Sequence, residues 1–176
     1  DGTREFIEGI DQWCISIGLC EDGQVVAGGI CNPASEQTFI GSRETGLYFN
    51  GKQAGVSDSE SLEGIRVLAS RSEIKRGQWQ QFADSPFEVV PCGSVAYKLA
   101  MVSAGLAEAT FTLVPKNEWD IAAGVLLVQA GGGLVAGKNG EAFTFNNADT
   151  KVSGLIAAGK AAYNKLTEHI AAVGAL

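Results

Sequence analysis

The feature that most constrains this chain is a change of pattern near residue 58. Ahead of it, short apolar runs at 13–19, 24–31, 37–41 and 46–49 are separated by the turn signals Glu21-Asp22-Gly23, Asn32-Pro33-Ala34-Ser35 and Asn50-Gly51. Connections this short join neighbouring strands only in antiparallel fashion, so residues 1–57 are expected to form an antiparallel meander. After a polar stretch at 57–63, strand-sized runs at 65–69, 87–90, 108–113, 133–136 and 154–158 alternate with helix-sized runs at 72–82, 95–104, 118–130 and 160–173. That alternation marks an α/β layer over 58–176. The Gly131-Gly132-Gly133 triplet reads as a helix stop followed by a close-packed turn.

Charge and composition narrow the partners. The 13 Lys and Arg stand against 20 Asp and Glu, for a net charge of −7, and no stretch gathers the cations into a stripe. Polymeric nucleic acid is therefore not an expected partner. The longest apolar runs, such as 121–130, fall short of the roughly 20 residues that cross a bilayer, so no membrane span is expected. The opening Asp-Gly-Thr-Arg-Glu-Phe has no basic and apolar leader. Cys14, Cys20, Cys31 and Cys92 form no C-x-x-C pair, and the single histidine, His169, excludes zinc spacing. They read as free thiols in a reducing compartment, and the expected location is cytoplasmic.

Three segments carry candidate chemistry. Asp1-Gly2-Thr3 puts an acid that suits a hard cation beside amides at a helix start, where an oxyanion is favoured; an ordinary capped turn is the alternative. Trp119-Asp120 opens an apolar helix, and Asp120 can be a plain dipole-offsetting charge. The small residues Ala122, Ala123 and Gly124 that follow let something approach closely. Cys92-Gly93-Ser94 turns a strand into a helix, and Gly-Ser there is either an N-cap or a ligand-facing loop.

Together these segments resemble the inositol monophosphatase superfamily over nearly the whole chain. Asp1-Gly2-Thr3-x-x-Phe6 resembles the end of its motif Asp-Pro-x-Asp-Gly-Thr-x-x-Phe. Trp119-Asp120-x-Ala122-Ala123-Gly124 with Gly131-Gly132 resembles Trp-Asp-x-Ala-x-Gly…Gly-Gly, and Gly93-Ser94 resembles the substrate-facing loop. The resemblance implies a Mg²⁺-dependent phosphomonoesterase in which a metal-activated water attacks phosphorus. Carried over by residue, it implies Asp1 and Asp120 as metal ligands and Asp1 and Thr3 as catalytic groups. Gly2, Thr3, Gly93, Ser94 and Lys98 become substrate-binding residues for a small phosphorylated metabolite.

The same resemblance implies the α/β (α+β) class and a sugar-phosphatase-like α-β-α-β-α sandwich, to which this chain adds part of the antiparallel sheet and all of a second, mixed sheet. It implies a missing N-terminal helical part holding another metal-binding aspartate and a metal-binding glutamate. On that expectation the chain alone binds Mg²⁺ weakly, turns over little and leaves one face of its first sheet bare. The family is often dimeric, which makes a homodimer an open expectation.

Within the superfamily, Arg4-Glu5-Phe6, Glu118 ahead of Trp119, and Lys98 five residues after Gly93 resemble the 3′(2′),5′-bisphosphate nucleotidases. Adenosine 3′,5′-bisphosphate is then the expected substrate, with inositol 1-phosphate or another sugar phosphate as the alternative. Lys98 can equally be a solvated helix lysine and Arg4 a surface charge. Trp79 and His169 read as surface or packing residues, and Ser70-Arg71-Ser72 as an N-cap or a loop near substrate. A non-enzymatic α/β module is the competing reading, and it gives Asp1, Thr3, Gly93 and Asp120 no reason to meet.

Overall fold

The computed structural model describes residues 1–175. Strands β1 (Ile15–Glu21), β2 (Gln24–Asn32), β3 (Gln37–Ser42), β4 (Gly46–Phe49) and β5 (Lys52–Ala54) pair antiparallel in chain order. The meander expected from the turn signals is present. It gains β5, whose residues Lys52-Gln53-Ala54 carry no apolar alternation. Asn50 and Gly51 both take positive φ, 46° and 75°, the tight turn that lays β5 on β4.

Alternation divides the two faces of this sheet. Val25, Ile30, Phe39 and Leu47 point into the core, while Ile15, Ile17, Leu19, Ile40 and Tyr48 stand in the open. Ile17, Gly29, Ile40 and Tyr48 share one register row across four strands, so the exposed apolar side chains form a strip broken only by the bare backbone of Gly29. Such a strip is more than the scattered surface hydrophobes of an ordinary monomer.

The second sheet is mixed, in the order β10 (Leu134–Ala136), β12 (Leu155–Ala158), β8 (Ala109–Thr112), β6 (Arg66–Ser70), β7 (Glu88–Cys92). Strand β6 runs parallel to β7 and β8, whereas β12 is antiparallel to β8 and β10. Helices α3 (Val95–Ser103) and α4 (Glu118–Ala130) pack on each other between the two sheets, and α5 (Lys160–Ala172) closes the far side. The layers run sheet, helix pair, sheet, helix, and one core joins Phe39 and Leu47 to Leu99, Leu126 and Leu155. Because residues 121–128 of α4 are enclosed on every side, that stretch is apolar around its whole circumference.

Ala123 and Gly124 admit neighbouring protein at close range. A Cβ on Gly28 would lie 3.2 Å from Ala123 Cα, and one on Gly124 would lie 2.6 Å from Leu99 Cβ. The small residues let α4 sit close against β2 and α3.

The helix expected over 72–82 is broken. It is α2 (Arg71–Lys75), a reversal at Gly77 with φ of 77°, and one 3₁₀ turn, Gln80–Phe82. Burial forces the break, because Trp79 and Phe82 must both turn inward, where Trp79 stacks on Phe111 at 4.4 Å. His169 also has a packing role, set edge-on to Phe87 and 2.8 Å from Ser85 Oγ. A two-stranded ribbon, β9 (Lys116–Asn117) with β11 (Lys151–Val152), is too short to show in any pattern, yet it fixes the start of α4. No helix among the described residues is long and apolar enough to cross a membrane. All four cysteines are free thiols.

Candidate active site

Four helix starts meet around a cavity of about 340 Å³. The short helix α1 (Thr3–Ile7) brings Asp1, Gly2 and Thr3, and α3 brings Gly93, Ser94 and Lys98. Asp120 comes from α4 and Lys116 from β9 just ahead of it, while Ser70 ends β6, Ser72 lies in the first turn of α2 and Arg76 follows its last turn. Asp1, Thr3, Gly93 and Asp120, scattered over the sequence, therefore line one space, as a ligand site requires and a non-enzymatic module does not.

Gly2 allows the chain to enter α1. Its φ is 91°, and a Cβ there would lie 2.8 Å from Trp13 Cα, so both the backbone and the space demand glycine. Its amide donates to Asp1 Oδ1 at 3.0 Å, and the Gly93 amide donates to Gln12 Oε1 at 2.9 Å. The Gly2 amide, expected to face an oxyanion, and the Gly93 amide, expected at the substrate loop, are thus occupied by protein acceptors. The Thr3 hydroxyl lies exposed at the cavity wall.

Ser94 is the most strained residue of the site, with φ 55° and ψ 118°. It is a true N-cap, its Oγ accepting from Tyr97 N–H at 3.0 Å. The same hydroxyl donates to Asp1 Oδ2 at 2.6 Å, and Ala96 N–H donates to that oxygen at 3.0 Å. Asp1 is held by the start of α3, where the helix dipole favours an anion.

Among the described residues, Asp120 accepts only a 3.3 Å hydrogen bond from Asn117 Nδ2, and no backbone N–H bonds to it. It therefore does not act as a hydrogen-bonding cap, which leaves its oxygens to the cavity. Glu118 faces elsewhere: buried, it accepts from the Asn146 amide at 2.8 Å and pins the loop at 146–147.

Lys98 is not a solvated helix lysine. It is 2% exposed, lines the cavity, and enters none of the side-chain hydrogen bonds among the described residues. Burial pushes its ammonium down to about 8, with Glu73 the main group opposing the shift. Lys116, which the motif reading passed over, pairs with buried Glu73 at 3.0 Å. Burial would raise the Glu73 carboxyl, yet Thr112, Lys116 and Lys98 hold it below the ordinary range. Ser70 caps α2, accepting from Glu73 N–H at 3.4 Å, as the N-cap reading of 70–72 expects, and Ser70 and Ser72 also line the cavity.

The cavity offers hard carboxylate oxygens from two separate elements. Among the described residues, no three His, Cys, Asp or Glu side chains gather as a cage. Three carboxylates line the cavity, Asp1 and Glu5 from the α1 segment and Asp120 from α4, and with the exposed Thr3 they suit Mg²⁺, which keeps several waters and is held by one or two carboxylates together with phosphate oxygens. Arg4, Arg76, Lys98 and Lys116 on the same cavity add the positive charge a phosphate needs.

Fold and cavity together define a layered α/β protein with a polar cavity lined by both acidic and basic side chains. The chain belongs to the inositol monophosphatase family, whose model matches residues 1–175. It is 32% identical over 150 residues to the fructose-1,6-bisphosphatase/inositol-1-monophosphatase of Thermotoga maritima, covering 83% of this chain and 58% of that protein. It is 33% identical over 147 residues to the inositol-1-monophosphatase of Mesorhizobium japonicum, covering 80% of this chain and 55% of that one. The chain thus spans little more than half the length of these relatives. A solved IMPase from Thermotoga maritima superposes with a TM-score of 0.85 at 28% identity, over 98% of this chain and 66% of that structure. An extragenic suppressor protein suhB from Bartonella henselae gives a TM-score of 0.80 at 29% identity, over 97% and 69%.

Proposed function

We propose that this chain carries part of the active site of a Mg²⁺-dependent phosphomonoesterase acting on inositol 1-phosphate or a similarly small polyol phosphate. The observation that carries the reading is the convergence of Asp1, Thr3, Ser94 and Asp120 on one cavity also lined by Lys98 and Lys116. The names of the two curated relatives support inositol phosphate over the nucleoside bisphosphate suggested by Lys98 and Glu118. Glu118 lends the nucleotide reading no support, because its carboxylate is committed to the 146–147 loop.

Asp1 and Asp120 would hold the cation, Asp1 being oriented by Ser94 and Ala96. Bound there, Mg²⁺ supplies Lewis-acid polarisation of a phosphoryl oxygen and acidifies water. The Thr3 hydroxyl orients a water for in-line attack, and Lys98 and Lys116 balance the phosphoryl charge. Ser94, at the α3 start, meets the organic part of the substrate.

One observation favours a second reading. The Thermotoga maritima relative is named a fructose-1,6-bisphosphatase as well as an inositol-1-monophosphatase, which supports a substrate with two phosphates on a cavity also lined by Arg4 and Arg76. Phosphate release from inositol 1-phosphate, fructose 1,6-bisphosphate and adenosine 3′,5′-bisphosphate, measured on the full-length gene product with and without Mg²⁺, tests both. Preference for inositol 1-phosphate upholds the first reading, and preference for either bisphosphate upholds the second. No Mg²⁺-dependent release from any of the three overturns both.

A further inference from the structure

Glu73 stands behind the cavity wall. It is 2% exposed and does not line the cavity, yet three elements donate to its carboxylate. Oε1 accepts from Thr112 Oγ1 at 2.7 Å and Lys116 Nζ at 3.0 Å, and Oε2 accepts from Trp79 Nε1 at 3.3 Å. Thr112 lies on β8, Lys116 on β9 and Trp79 in the turn after α2, so the carboxylate is fixed from three directions. Of these donors only Lys116 reaches the cavity.

A buried ion pair is seldom retained for stability alone, because desolvation cancels much of its attraction. This pair has a geometric consequence. A free lysine ammonium samples many rotamers, whereas Lys116 is tethered at the wall beside Lys98, whose own ammonium has no protein hydrogen-bond partner among the described residues. Lys98 is faced by Glu73, Cys92, Lys116 and Glu5. Glu73 heads the acidic groups in that set, so it also offsets the repulsion between the two lysines.

We propose that Glu73 is a positioning residue for phosphate binding: it fixes the Lys116 ammonium at the cavity wall and lets Lys98 carry its charge beside it, so that a phosphate meets a preset pair of cations. Glu73 touches no ligand and acts only through Lys116 and Lys98. Preset donors bind an anion more tightly than mobile ones because less side-chain freedom is lost on binding. The inference rests on the reading of the cavity as a phosphate site.

A double-mutant cycle with inorganic phosphate as the probe tests it, binding being followed by calorimetry in the presence of Mg²⁺ on wild type, Glu73→Gln, Lys116→Met and the double variant. About a tenfold loss of affinity is expected in each single variant, and the double variant should lose no more than Lys116→Met alone. Additive losses, or an unchanged Glu73→Gln, would mean that Glu73 does not act through Lys116. Should Glu73→Gln fail to fold, lysine side-chain NMR on the wild type decides: phosphate must shift the Lys98 and Lys116 ammonium signals together, and a shift of neither overturns the proposal. If wild type binds no phosphate at all, the phosphate-site reading itself fails, and the positioning role with it.

Discussion

Ser94 donates a 2.6 Å hydrogen bond to the carboxylate of Asp1, 93 positions away in the chain. The bond ties the start of α1 to the start of α3, and with Ala96 N–H it leaves the Asp1 carboxylate one orientation at the cavity. A metal-ligand candidate is thereby oriented by a substrate-binding candidate, so disturbing either affects both.

Asp1→Asn keeps an acceptor for Ser94 and Ala96 but removes the charge. Its stability should stay within about 1 kcal/mol of wild type, while Asp1→Ala, leaving the Ser94 hydroxyl and the Ala96 amide without their acceptor, should lose about 1–2 kcal/mol. Urea unfolding checks both. Calorimetric titration should show Mg²⁺ affinity reduced at least about tenfold in either variant, because a neutral side chain is a poor ligand for a hard cation.

Asp120 separates site from fold more cleanly, since its one side-chain hydrogen bond among the described residues is 3.3 Å long. Asp120→Asn should leave the melting temperature of the chain within a few degrees of wild type and, on the proposed function, remove Mg²⁺-dependent phosphate release from the full-length gene product. A fall in stability above about 2 kcal/mol would assign Asp120 a structural role instead.

Gly124→Ala tests the close approach of α3 and α4. Alanine is the better helix former by about 1 kcal/mol. Its Cβ would nonetheless sit 2.6 Å from Leu99 Cβ and Cδ1, and overpacking of that kind costs about 1–3 kcal/mol. The net effect expected in chemical denaturation is destabilisation, and an increase in stability would show that the two helices separate easily.

Lys98 gives a signed pH dependence. Its ammonium is lowered by burial from 10.5 to about 8, so between those values the unfolded chain holds more protons than the folded one, and stability rises with pH. Burial raises the Cys92 thiol from 9.0 to about 11, which makes stability fall across that window. The net rise is therefore confined to about pH 8–9 and should vanish in Lys98→Met. Phosphate binding should weaken over the same interval as Lys98 loses its charge.

The strip formed by Ile17, Ile40 and Tyr48 should bind the hydrophobic dye ANS and promote self-association at high concentration. Replacing Ile17 and Ile40 with Gln should reduce both, with little loss of stability because neither side chain is buried. Unchanged dye binding would place the apolar surface elsewhere.

Much of this was legible in the residues. Strand β4 and helix α4 have the expected bounds, because Asn50-Gly51 and the glycine triplet are local stop signals whose backbone geometry depends on little else. Asp1, Thr3, Gly93 and Asp120 were legible as candidates because acids, hydroxyls and glycines at helix starts have a local chemical rationale. The break in the helix over 72–82 was not, since it arises from Trp79 and Phe82 packing around Phe111, which lies some thirty residues further along. Lys116 and Glu73 escaped notice for a related reason: each looks like a surface charge until its partner, 43 positions away, is placed beside it.

The sequence by itself determined the two pairing regimes, the family and the residue types at the helix starts, because turn chemistry, periodicity and short motifs act over a few neighbouring residues. Only the tertiary structure decided that Lys98 is buried, that Glu73 stands behind Lys116, and that the Gly2 and Gly93 amides are already engaged. Those properties depend on burial and on hydrogen bonds between distant segments, and both exist only once the two sheets and the α3–α4 pair have closed on one another.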